Sequence, residues 1–202
     1  MLIAENNGKG KTYSAIKFCI DRKLATNCVI YTNVTSFKVF SDTVFITDIN
    51  ELIDTVISYC DSLSNDEQPN LIIFFDEIFT ILEKGTKINS KILSFISQLR
   101  KRKIVFVTTA QEWLEINITF RRYVRFQIDC NMISLPITNN AFLINAVNDG
   151  EQLHWDNMAN EYVAPRISTN ISKGNLSIIQ SYDTFETVQV SSSDSRPSKK
   201  IK

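Results

Sequence analysis

Leu71-Ile-Ile-Phe-Phe75-Asp76-Glu77 is a run of five apolar residues closed by two carboxylates. No polar residue interrupts the run, so a strand made from it needs cover on both faces. That is the situation of a central strand in a parallel sheet packed between helices. The paired carboxylates at its tip repel each other, and a bound cation relieves that repulsion. Asp76 is therefore the candidate ligand of a Mg²⁺ ion. Glu77 is the candidate base that orients and deprotonates an attacking water.

Upstream, Gly8-Lys9-Gly10-Lys11-Thr12 lies between the short apolar stretch Leu2-Ile-Ala4 and a segment from Thr12 to about Lys23 that reads as a helix. Strand, Gly/Lys loop and helix in that order form the context of a phosphate-binding P-loop. Backbone N–H groups of the loop and of the helix start point at the phosphates, and glycine permits the close approach. The expected nucleotide contacts are Asn7, Gly8, Lys9, Gly10, Lys11, Thr12 and Tyr13. Lys11 neutralises the β- and γ-phosphates, and the Thr12 hydroxyl joins Asp76 on Mg²⁺. The consensus GxxxxGKS/T asks for glycine at position 5, where this chain has Glu5. The expected cofactors are ATP and Mg²⁺.

The segments around these motifs alternate strand and helix. Cys28-Val-Ile-Tyr-Thr32 and Thr43-Val-Phe-Ile-Thr47 read as buried strands. Ile49, Leu52, Ile53, Val56, Ile57, Cys60 and Leu63 share one helical face. Ile88, Ile92, Phe95, Ile96 and Leu99 mark a second helix, ending in Arg100-Lys-Arg-Lys103. Ile104-Val-Phe-Val107 is a further strand, leading into Thr108-Thr-Ala-Gln111. The pattern predicts an α/β fold whose central sheet is mainly parallel, with right-handed crossovers and flanking helices.

A strand between the P-loop and the acid-tipped strand, with a glutamate beside the aspartate, indicates a P-loop NTPase of the additional-strand, catalytic-glutamate type. In such a sheet the strand after the acidic one lies beside the P-loop strand. Gln111 at its tip is the first candidate to reach the γ-phosphate or the water, and Thr109 the second. Residues 1–130 form the expected ATPase core. Residues 131–190, with β-like runs such as Met132-Ile-Ser-Leu-Pro136, form a β-rich extension or continue that domain. Residues 191–202 read as a disordered polar tail.

Composition narrows the class. Hydrophobic residues make up 44% and charged residues 22% of 202 residues, with a formal net charge of zero. A nucleic-acid partner would then need a local basic patch. The four cysteines lack CxxC spacing and there is one histidine, which argues against a zinc site. No apolar run approaches the ~20 residues of a membrane span. The sequons at Asn33 and Asn117 read as chance matches.

The chain resembles the small viral ATPases of the FtsK–HerA lineage, which include double-stranded DNA packaging motors of podophages and Zot-like assembly proteins of filamentous phages. The resemblance rests on the early P-loop, Ile30-Tyr-Thr-Asn-Val34, Phe75-Asp-Glu-Ile78, Leu99-Arg-Lys-Arg102, Thr109-Ala-Gln-Glu-Trp113, Arg121-Arg122 and Ser181-Tyr-Asp-Thr-Phe-Glu186. It implies ATP hydrolysis by a homo-oligomeric ring, often of five or six subunits, that moves nucleic acid through its centre. The packaging reading adds double-stranded DNA, a viral portal and procapsid, no membrane, and action in the host cytoplasm with transient residence on the procapsid. A Zot-like extrusion ATPase for single-stranded phage, or a degenerate P-loop scaffold without turnover, are the alternatives.

The resemblance also implies an arginine reaching into the neighbour's site. Arg100 is its first candidate, followed by Arg102 and Arg122. The run Arg100-Lys-Arg-Lys103 reads equally well as a cationic helix C-terminus favoured by the macrodipole. Arg121, Arg122 and Arg125, with Tyr123, form a second basic cluster that could meet DNA phosphates.

Overall fold

The structure is a computed structural model that describes residues 1–4, 10–64, 66–135, 140–158 and 160–182. The chain begins with β1 (Leu2–Ala4), α1 (Lys11–Thr26), β2 (Val29–Thr32), β3 (Val44–Phe45) and α2 (Ile49–Ser62). It continues through β4 (Leu71–Phe75), α3 (Ser90–Gln98), β5 (Val105–Ala110) and the short turn α4 (Ile118–Arg121). Then follow β6 (Phe126–Leu135), β7 (Asn140–Asp149), β8 (His154–Asp156), β9 (Glu161–Val163), β10 (Arg166–Lys173) and the single turn α5 (Leu176–Ile179).

Eight strands form one sheet in the order β10-β7-β6-β1-β5-β4-β2-β3, and β8 with β9 make a separate ribbon. The pairs from β6 to β3 are parallel, and β7 runs antiparallel to both of its neighbours. As expected from the acid-tipped run, β4 is buried at every position. Ile72 and Phe74 pack with Ala15, Ile16 and Cys19 of α1. Leu71, Ile73 and Phe75 pack with Leu52, Ile53 and Val56 of α2 and Ile92, Phe95 and Ile96 of α3. The unalternated sequence of β4 is thus the signature of helices on both faces.

Element ends have local causes. The Asp48 side chain accepts from the N–H groups of Asn50 and Glu51 at the start of α2. Asn89 and Asn117 cap α3 and α4 in the same way. Asn27, in the left-handed region at φ 52°, stops α1. The expected strand at 43–47 shrinks to the two residues of β3, on the sheet edge.

Two expectations change. The strand expected at 104–107 extends to Ala110, because Thr108, Thr109 and Ala110 pair with Leu2, Ile3 and Ala4. The short β-like runs after residue 130 belong to two ten-residue strands, β6 and β7, paired along their whole length. Those strands and β10 extend the same sheet. Residue 131 falls inside β6. Residues 191–202 lie outside the described residues. No helix among the described residues is long and apolar enough to cross a membrane.

Gly150 fixes the turn that follows β7. Its N–H donates to the Arg125 carbonyl at 2.9 Å. A Cβ at this position would sit 2.1 Å from the Val124 carbonyl oxygen, which is backbone and cannot swing away. Gly150→Ala should therefore destabilise the fold by about 2–3 kcal/mol. Urea denaturation checks this, and an unchanged midpoint would mean that the two turns separate easily.

Candidate functional site

The parallel strands bring the chemistry-bearing residues to one edge. Side chains alternate along β4, so Asp76, following Phe74, points to the α1 face. The same alternation along β5 brings Thr109, following Val107, to that face. The first turn of α1 supplies Lys11, Thr12 and Tyr13.

Asp76 is only 5% exposed and is held from three directions. The Thr12 hydroxyl donates to one carboxylate oxygen at 3.2 Å, and the Thr109 hydroxyl donates to the other. The Asn33 side chain clasps its backbone: the Asp76 N–H donates to Asn33 Oδ1 at 2.7 Å, and Asn33 Nδ2 donates to the Asp76 carbonyl at 3.0 Å. Burial pushes the Asp76 carboxyl up from 3.8 to about 6, against the hydrogen bond from Thr109 and with the charge of Glu77; Thr12 and Lys11 oppose the rise.

Glu77 takes the left-handed conformation, φ 52° and ψ 46°. For a residue with a Cβ this costs about 1 kcal/mol or more and persists only where neighbours impose it. Here the Glu77 N–H donates to Thr109 Oγ1 at 2.9 Å, and the Asn33 clasp fixes the residue before it. The Thr109 hydroxyl therefore links both acidic residues. Gln111, the first candidate from sequence to reach the γ-phosphate or the water, follows β5 by one residue and is half-buried.

The start of α1 fits an anion. Gly10 at its N-cap has φ 87° and, having no side chain, itself gives no side-chain cap to the N–H groups of the first turn. A Cβ on Gly10 would stand 2.6 Å from the terminal Cδ2 of Leu143 in β7, which would have to shift, and the left-handed φ is the firmer reason for glycine here. Lys11 is 9% exposed, and its charge acts on Asp76. A lysine, two threonine hydroxyls and a buried aspartate match what Mg²⁺ and a nucleotide triphosphate require. Asn7, Gly8 and Lys9 lie outside the described residues.

The arginines lie elsewhere. Arg100 is at the opposite edge, before β5, with its side chain 89% exposed and 3.9 Å from Glu151. Arg102 is tied down: its Nη1 lies 3.2 Å from Asp61 of α2. Arg122 and Arg125 are exposed, and Arg125 lies 4.0 Å from Glu151 and over the Phe126 ring. Arg121 departs from the expected surface cluster. It is 5% exposed, with its guanidinium 5.5 Å from the centroid of the Trp113 ring and Nη1 3.5 Å from the Tyr162 carbonyl. Of the three arginines expected in this cluster, Arg122 and Arg125 remain exposed.

Asn33 was quoted in the sequence without a role. Its signal is its position, one residue past the strand that neighbours β4. It is buried here, so its sequon match is fortuitous. A cavity of about 490 Å³ lined by Trp113, Gln127, Asp129 and Asn148 is not the nucleotide site. Cys130 contacts Ser14 of α1, so by alternation Gln127 and Asp129 face the other side of the sheet.

The family model for the ATPase family associated with various cellular activities (AAA) matches residues 1–132. The chain belongs to that family. No curated protein matches it in sequence. Among solved structures, the genome packaging NTPase B204 from Sulfolobus turreted icosahedral virus 2, in complex with ATP-gammaS, superposes with TM-score 0.55 at 11% identity. That match covers 82% of this chain and 96% of that one. The N-terminal domain of zonular occludens toxin from Neisseria meningitidis gives TM-score 0.48 at 16% identity, over 90% of this chain and 97% of that one. The first of these shows a shared fold, and with the family match the chain is a P-loop ATPase with a mainly parallel sheet flanked by helices.

The raised Asp76 carboxyl has a measurable sign. Its folded value lies above its unfolded one, so the unfolded chain ionises first as pH rises. Stability is lost between about pH 4 and pH 6 and stays lost above. The full effect is worth about 3 kcal/mol. Asp76→Asn should raise the melting temperature by several degrees at pH 7.5 without nucleotide or Mg²⁺, with the gap closing near pH 4. A gap independent of pH would show that burial does not burden the carboxylate.

Proposed function

We propose that this AAA-family ATPase is a ring motor that hydrolyses ATP to translocate viral double-stranded DNA into a procapsid. It would act in the host cytoplasm and reside transiently at the portal of the procapsid. Bound ATP with Mg²⁺ supplies the phosphoryl group and the charge that Asp76 lacks in its absence. Lys11 and the first turn of α1 bind the phosphates, and Thr12 and Asp76 hold the metal. Glu77 accepts the proton of the attacking water, and Thr109 fixes the backbone from which it projects. Gln111 is near enough in sequence to Thr109 to assist in orienting that water.

The observation that carries the ring is the polarity of the sheet. Thr12, Asp76 and Thr109 cluster at the C-terminal tips of the parallel strands, whereas Arg100 precedes the N-terminal end of β5. A six-residue strand spans roughly 20 Å, so Arg100 cannot reach the site of its own subunit. Its contact with Glu151 is long and exposed, which leaves the side chain free to swing. A head-to-tail neighbour would bring this edge against the nucleotide and stabilise charge in the transition state, an effect of ~10³–10⁵ in rate. Arg102, held by Asp61, and Arg122 are weaker choices. The packaging substrate rests on the sequence resemblance and on the fold shared with a genome packaging NTPase.

A mixing experiment tests the trans arrangement. Glu77→Gln and Arg100→Ala should each abolish turnover, by ~10²-fold or more, while still binding ATP. Mixed rings contain some interfaces with both groups intact, so mixing should restore part of the activity. Proven mixed rings without recovery would remove Arg100 from the site. Turnover should rise with double-stranded DNA, and DNA binding should weaken steeply with salt. Stimulation by single strands alone would favour the extrusion reading.

A further inference from the structure

The late strands of the chain turn back onto the helix that opens the nucleotide site. Leu143 and Asn145 stand two positions apart on β7, so both face α1. Leu143 is buried and packs in one cluster with Tyr13, Ile16 and Cys130. Its Cδ2 fills the space beside Gly10, 2.6 Å from where a Cβ would stand. The Ser14 hydroxyl donates to Asn145 Oδ1 at 3.3 Å and accepts from Cys130 Sγ at 3.5 Å. Past β10 the chain reaches the same helix again. The Asn175 N–H donates to the Tyr13 hydroxyl at 2.8 Å, and Ile178 is buried in the cluster that holds Tyr13 and Ile16.

These contacts share one side of the helix. Gly10, Tyr13 and Ser14 stand at i, i+3 and i+4, positions that a helix stacks on one face. Thr12 turns the other way, to Asp76 at 3.2 Å. The first turn of α1 is thus gripped from behind while its front meets the acidic strand. A serine inside a helix can bond back to the carbonyl four residues earlier, which bends the helix. Here the Gly10 carbonyl accepts the Ser14 N–H at 2.9 Å, and the Ser14 hydroxyl is engaged by Asn145 instead. Leu143, Asn145, Asn175 and Ile178 all lie beyond residue 132, where the family match ends.

We infer that Leu143 and Asn145 are positioning residues of the nucleotide site. They act through Gly10 and Ser14 and set where the first turn of α1 presents its N–H groups, Lys11 and Thr12 to the phosphates. This rests on the reading of that turn as the phosphate-binding turn. The grip is on the turn and not on one phosphate, so ADP and ATP-gammaS are affected alike. It is also reciprocal: a phosphate that fixes the turn tightens β7 in the same measure.

Titration calorimetry of the full chain with Mg²⁺ and ADP reads the effect. Asn145→Ala and Ser14→Ala should each lower the affinity about fivefold, the worth of one neutral hydrogen bond. The double variant should lose no more than Ser14→Ala alone, because both substitutions remove the same contact. Leu143→Ala should lower the affinity as well, and Leu143→Met, which refills the space, should restore most of it. Melting without nucleotide accompanies each titration. A purely structural role lowers the melting temperature and leaves the affinity of the folded chain unchanged. In the wild type, amide exchange over residues 142–149 should slow on adding ADP, a readout that needs no substitution. Unchanged affinity in the folded variants, additive losses in the double variant, or unchanged exchange in β7 would each overturn the inference and leave the ATPase reading intact. Failure of the wild-type chain to bind either ADP or ATP-gammaS would overturn both.

Discussion

A carboxylate buried at the tip of β4 is the constraint on which the arrangement depends. Asp76 cannot stay charged in that position without donors, and its raised carboxyl shows that the two hydroxyls offset only part of the burial. Its partners come from far apart in sequence. Thr109 is 33 positions away, Asn33 is 43 and Thr12 is 64. Bringing all three to one point requires β5 between β1 and β4, and β2 on the other side of β4, which is the observed order. The sheet topology and the site are the same requirement seen at two scales. The deficit that remains is one that a bound divalent cation would offset.

The local rules that made part of this legible were strong ones. The unbroken apolar run of β4, the seven same-face residues around α2 and the Gly/Lys loop before α1 each depend on residues adjacent in sequence or on one helical period. β4, α2 and the helix that follows the Gly/Lys motif appear where expected. The missing part is non-local. Thr109 reaches Asp76 because β5 runs three residues beyond Val107, and that length is set by pairing with Leu2, Ile3 and Ala4, not by propensity. The burial of Arg121 against Trp113 could not be read from a sequence in which Arg121, Arg122 and Arg125 look alike. β6 and β7 were obscured because polar residues such as Gln127, Asp129, Asn145 and Asn148 fall within them, where their side chains pair with one another or with α1.

Glu77 carries the tension between stability and activity most visibly. A left-handed non-glycine residue is unfavourable on its own, and glycine at this position would relieve it at once. On the proposed function the side chain is the reason it is tolerated, because its carboxylate is the base. The backbone is held by Thr109 in front and by the Asn33 clasp behind. The same hydroxyl that donates to the Asp76 carboxylate thus sets the angle from which the Glu77 side chain projects. Loss of Thr109 would disturb both acidic residues together, because they are coupled through one oxygen atom.

On the proposed function, the same economy explains why one subunit is insufficient. Every parallel strand from β6 to β2 delivers its C-terminal tip to the nucleotide edge, and that edge is crowded by the Asn33 clasp, by Leu143 against Gly10 and by the segment anchored on Tyr13. An arginine long enough to reach a γ-phosphate would need an unobstructed approach, and the exposed arginines Arg100, Arg122 and Arg125 lie at the other end. A parallel sheet has two chemically different edges, so a contact between them is heterologous: it leaves one unsatisfied edge at each end of any open chain of subunits. Closure into a ring removes both. On the proposed function, the requirement for an arginine in trans and the requirement for a closed assembly are therefore consequences of one feature, the common direction of the strands that carry the site.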